Sequence, residues 1–224
     1  MTSAADVNAA YRNNTTLSWD AMLNDLLIAF GIDSGVIPKL WQKPDVGVAD
    51  ESESVARTRR LSPIHATLDH YKSQMLPGER LDKFSDSLLG HISDLLCWDA
   101  VYKRFGAKPS KISLNKFCGE VLVEALSRAM FGNRIFEVEP DLVQSMLDFN
   151  DDAWMLIFQY PQSSESKLHR ARRKLLDFFL RYMQGPEELR SEQAWMIDRA
   201  IQDLKAIDMC DEDRAPLLLM IYWG

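Results

Sequence analysis

The residues here whose types could do chemistry are four histidines, three cysteines and two basic clusters. His65 and His70 lie five apart, which does not bring two imidazoles onto one helix face as an i, i+4 pair would. His91 and His169 stand alone, and neither H-E-x-x-H nor a paired C-x-x-C occurs. The spacing therefore predicts no metal site and leaves the histidines as surface or helix-end residues. Cys97, Cys118 and Cys210 are odd in number and far apart, which excludes a disulfide framework and suits a reducing compartment. Cys118 falls on the apolar side of a helical stretch and reads as a small buried hydrophobe. No G-x-S-x-G nucleophile elbow and no glycine-rich phosphate loop is present. One basic cluster is Arg57-Thr58-Arg59-Arg60. The other runs Lys167, His169, Arg170, Arg172, Arg173, Lys174. The second opens an amphipathic stretch that as a membrane-surface helix would rest on anionic lipid through 167–184. As an ordinary charge run it is a solvated helix face, and that reading is preferred. No aromatics interleave with these bases, which argues against nucleic acid as a partner.

The elements that must position these residues are helical almost throughout. Ser3 can cap a helix through Tyr11, and Ser18 one through Phe30, with Gly31 as its C-terminal stop. Residues 31–63 hold clustered Gly and Pro and the polar run Asp50-Glu51-Ser52-Glu53-Ser54. They read as a long irregular connection with a short helix near Ile37–Trp41. Apolar spacing then predicts helices over 64–75, 79–97, 114–131 (capped by Ser113, stopped by Gly132), 141–158, 168–184, 188–206 and from Asp211 onward. Only 133–139 looks strand-like. Phe117, Met146, Trp154, Phe158 and Trp195 are core positions by default. The fold class is all-α. Acids outnumber bases 33 to 26, the net charge is −7, and no apolar run approaches the length of a membrane span. Met1–Asp6 has no secretory character, so the chain taken alone is expected to be cytoplasmic. The helix after Asp211 is apolar on nearly every face over Leu217–Trp223 and stops at Gly224, a pattern expected of a central helix cut short.

Four stretches, in order, resemble one family. Asp6–Trp19 (DVNAAYRNNTTLSW), Leu76–Asp82 (LPGERLD), Ala125–Phe136 (ALSRAMFGNRIF) and Asp211–Gly224 (DEDRAPLLLMIYWG) are similar to a middle segment of a cytochrome P-450, a heme-thiolate monooxygenase. The branch resembled is that of the sterol 7α-hydroxylases and prostacyclin synthase, with their fungal relatives. The resemblance covers nearly the whole chain, from the family's B helix to its early I helix. It implies a single partial domain over 1–224, with 31–63 as a B–C-like loop, 141–184 as F- and G-like lid helices and 211–224 as a truncated I-like helix.

The resemblance also implies heme as cofactor, a lipophilic sterol- or lipid-like substrate, an NADPH-linked reductase as partner and an endoplasmic reticulum membrane location for the intact family. Trp41, Trp154, Phe158 and Tyr222 are its implied pocket-lining residues, and His70 and Lys72 its implied heme-propionate contacts. The sequence departs from the family where activity is decided. No cysteine sits in F-x-x-G-x-x-x-C-x-G: Cys118 is followed by Gly119, but Lys111 stands where the phenylalanine belongs. Glu187-x-x-Arg190 has the letters of the family's E-x-x-R but precedes the I-like segment, so it is read as an ordinary i, i+3 pair. Without an axial thiolate no monooxygenase activity is expected of this chain alone. A non-enzymatic helical interaction module and a small-molecule-binding bundle without heme stay open beside it.

Overall fold

The structure, a computed structural model, describes residues 3–12, 19–43, 61–106, 113–161, 163–164 and 166–223. Those residues are helical and contain no strand. α1 spans Ala4–Arg12, with the Ser3 hydroxyl accepting the Asp6 N–H at 3.1 Å. α2 spans Asp20–Phe30 and stops at Gly31, whose φ of 108° is a conformation in which a side chain is strained. Ser18, the expected cap of α2, lies outside the described residues. So do the basic cluster Arg57–Arg60, the polar run at 50–54 and Gly224. The short helix in the long connection is α3, Ile37–Trp41.

α4 (Pro63–Met75) begins on a proline, which fits a first helical position because its missing N–H would have no helical partner there. α5 is Glu79–Leu96 and α6 is Trp98–Phe105, a helix the sequence pattern did not predict. α7 (Leu114–Phe131) is capped by Ser113, which accepts the Lys116 N–H, and stops at Gly132, φ 89°. The strand-like 133–139 is instead a single helical turn, α8 (Ile135–Val138). Burial of Ile135 in the main core and the Arg134–Glu137 ion pair at 3.0 Å go with the helical turn rather than a strand. The stretch read as one helix over 141–158 is two, α9 (Leu142–Asp152) and α10 (Trp154–Ile157), parted at Ala153. α11 is Lys167–Gln184, capped by Ser166. The helix expected over 188–206 is a 3₁₀ turn, Glu187–Arg190, followed by α12, Trp195–Ala206. α13 is Asp211–Trp223.

α13 closes both hydrophobic cores. It packs most extensively on α11 and also on α2 and α12. Tyr222 meets the ring of Phe131 edge-on at 5.4 Å and that of Phe179 at 6.2 Å, while Trp223 lies 5.7 Å from Phe30. Leu218 and Leu219 enter the same core with Phe149, Leu175 and Phe178. Leu217, one residue earlier and about 100° around the helix, enters a second core with Leu27, Leu40, Ile64 and Leu204. One helix thus closes two hydrophobic clusters, each buried leucine contributing about 1.5–3 kcal/mol. Pro216 sits inside α13, where its absent N–H leaves one turn of the helical ladder unbonded. Among the described residues no helix is long and apolar enough to cross a membrane.

Candidate functional site

The six residues singled out by resemblance do not converge. His70 is buried in α4, not at a surface or a helix end. Its ring nitrogen lies 2.6 Å from Asp203 Oδ2 on α12, and Trp195 stands edge-on to it at 5.4 Å. Lys72 is exposed two residues on, about 200° around the helix, so the two cannot act as one donor pair. Trp41 is half-buried between α3 and α4, its indole N–H donating to Asn24 Oδ1 at 2.6 Å and its ring edge against His65. Trp154 and Phe158 are not core residues: they are exposed at 46% and 74% on either side of α10. Tyr222 is buried in the main core and bonded to the Ser127 hydroxyl. Met146 is buried as expected, while Phe117 and Trp195 are half-buried.

Cys97, Cys118 and Cys210 are all exposed, which corrects the expectation of a buried Cys118. The Cys210 thiol donates to Asp213 Oδ2 at 3.0 Å, and that carboxylate holds its pKa above the ordinary value, favouring thiol over thiolate. No group of three or more His, Cys, Asp or Glu among the described residues is placed to hold a metal. Glu187 and Arg190 are not an ion pair of ordinary type either. Arg190 instead turns back on the end of α11 and donates to the carbonyls of Tyr182, Met183 and Gly185 at 3.0, 2.9 and 2.8 Å. It satisfies carbonyls that the helix end leaves without partners.

A cleft of about 660 Å³ opens between α4, α5 and the segment leading into α12. Its wall is a structural network. Arg80 lies over the Trp195 ring, 3.8 Å from the centroid, and Gln74 donates to the Arg80 carbonyl at 2.8 Å while accepting the Met196 N–H at 3.4 Å.

A second cleft of about 460 Å³ lies between α2, α10 and α11. Ile28 and Ala29 come from α2, Met155 and Leu156 from α10, and Gln159 and Tyr160 from the chain just beyond. His169 and Arg172 come from α11. Arg172 donates one terminal N–H to the Ala29 carbonyl near the end of α2, while its Nε is buried without a partner. Burial, and then the neighbouring Arg173, lower its pKa. His169 bonds the Ser166 hydroxyl through Nδ1 at 2.9 Å. Burial, and then Arg172 and Arg173, press its imidazole towards the neutral form.

The sequence reading took this basic run as a solvated face. The signal that separates Arg172 from its neighbours is its place beside the buried stripe Leu168, Ala171, Leu175. Comparison of the chain with protein families, with curated proteins and with solved structures finds no match in any of the three.

Proposed function

We propose that residues 1–224 form the substrate-covering helical part of a heme-dependent monooxygenase acting on a sterol- or lipid-like substrate. In this reading the axial cysteine is not among these residues. The chain alone performs no oxidation, and the heme, the NADPH-linked reductase and the endoplasmic reticulum membrane belong to the intact enzyme. The observation that supports the reading is the seating of α13. The resemblance implies that Asp211–Gly224 begins the helix running through the middle of such a fold. Asp211–Trp223 is here the helix on which α2, α11 and α12 meet, with Ala215–Leu219 and Tyr222 buried.

The test is to sequence the transcript across the codon for Gly224. The expected result is a frame continuing into a cysteine in F-x-x-G-x-x-x-C-x-G. A stop codon there overturns the reading. Heme added to the purified chain is expected to give no thiolate-type Soret shift under carbon monoxide after reduction.

A helical interaction module is the second reading, and one observation favours it. Leu89, Leu96, Trp98, Tyr102, Leu114 and Leu122 on or beside α5, α6 and α7 are exposed, an unusual density of large apolar side chains. Light scattering decides its weight: a monodisperse monomer at high concentration removes it.

A further inference from the structure

We propose that the cleft between α2, α10 and α11 binds a lipophilic carboxylate. Arg172 and His169 hold the carboxylate, and Ile28, Ala29, Met155 and Leu156 receive the hydrocarbon chain.

Three observations meet in this cleft. The first is an uncompensated cation. Arg172 makes its hydrogen bond to a backbone carbonyl rather than to a carboxylate, and its Nε has no partner. Other cations of α11 are saturated by acids: Lys167 bridges Asp148 and Asp151, and Arg181 bridges Asp177 and Glu139. A half-buried guanidinium with no ion-pair partner among the described residues is a standing electrostatic cost that an arriving anion removes. The planar fork of arginine matches a carboxylate in two-point geometry.

The second is His169, one helical turn before Arg172 and on the same wall. Burial, and then the two arginines, disfavour its charged form, and an anion entering the cleft favours that form. The third is the apolar side. Ile28 and Ala29 face Met155 and Leu156, and Tyr160, its ring 5.9 Å from that of Trp154, stands at the rim. A volume of about 460 Å³ suits a medium-length alkyl chain rather than an inorganic ion alone. Asp25 is the carboxylate on the same wall. Its charge shares the cleft wall with Arg172 and His169. It opposes an anion and so provides a built-in control. The site is complete within three helices and their flanks and does not rest on the monooxygenase reading.

The experiment is calorimetric titration of the 224-residue chain with dodecanoate, below its micelle threshold, with dodecanol as the uncharged control. The expected result is dodecanoate bound at least about 10-fold tighter than dodecanol, as a charge-assisted pair predicts. Arg172→Met should abolish that preference. Because Arg172 also anchors the end of α2, two variants on α2 keep the test independent of folding. Ile28→Glu, at an exposed position, should weaken dodecanoate by about 10-fold or more, and Asp25→Asn should tighten it by about 3-fold. Equal affinity for dodecanol and dodecanoate overturns the proposal, as does an Ile28→Glu variant that binds like the parent. Arg172-dependent binding to phosphatidylserine vesicles without any binding of dodecanoate also overturns it, in favour of a membrane surface.

Discussion

Tyr222 carries the most informative side-chain chemistry of the core. Its hydroxyl meets Ser127 Oγ, and the Ser127 hydroxyl in turn donates to the Val123 carbonyl at 2.6 Å. Burial pushes the Tyr222 phenol up to about 12, partly opposed by Ser127, and burial raises Tyr182 as well. A phenol whose folded pKa exceeds its unfolded value of 10.0 keeps its proton longer in the native state. Its stabilising effect is therefore complete below pH 10 and is lost as pH rises towards 12. Stability should fall by about 1.4 kcal/mol per pH unit per phenol in that window. Urea melts between pH 9 and 12 check this, and a flat profile contradicts the buried phenols. Ser127→Ala should cost about 1–3 kcal/mol, because it leaves the buried Tyr222 hydroxyl only a long 3.5 Å contact to the Val123 carbonyl. Tyr222→Phe should cost about 1 kcal/mol, because Ser127 keeps its carbonyl. At the surface, iodoacetamide on the native chain should label Cys97 and Cys118 ahead of Cys210, whose thiol Asp213 protects from ionisation. Peptide mass spectrometry over time reads the order.

Helix ends show how local chemistry fixed the elements. Ser3, Ser113, Gly31, Gly132 and Pro63 stand at boundaries that their residue types announce, and the structure places a helix end at each. What the residue types did not announce is decided elsewhere in the chain. Arg190 looked like half of a sequence-local pair, yet its guanidinium closes the end of α11. Arg190→Ala should lower stability by about 1.5–3 kcal/mol, seen as a shift of the urea midpoint at unchanged m-value, and Arg190→Lys should recover only part of it. α6 went unread because eight residues of WDAVYKRF, directly after α5, give too few turns for a periodic signal. The break at Ala153 was equally silent, since alanine is the best helix former there is.

At the scale of the molecule, the all-helical class and the burial of Leu217–Leu219 were legible, because the apolar run from Leu217 has no polar face to offer solvent. Leu218→Ala should cost about 2–5 kcal/mol, more than the same change at exposed Leu89, and thermal melts of the two variants make the comparison. The cleft at Arg172 was not legible. Its wall joins Ala29 to a residue 143 positions later, and no spacing rule reaches that far. The same holds for His70, whose burial depends on Asp203, 133 residues away.

Those separations also set a schedule. Phe30, Phe131 and Phe179 all lean on residues of α13, and Ser127 waits 95 residues for Tyr222. At a synthesis rate of roughly 5–20 residues per second, a gap of this size lasts on the order of 10 s. Throughout that interval the ring cluster of the nascent chain has no α13 to cover it. The helix that completes both cores is therefore also the one that ends their exposure during synthesis.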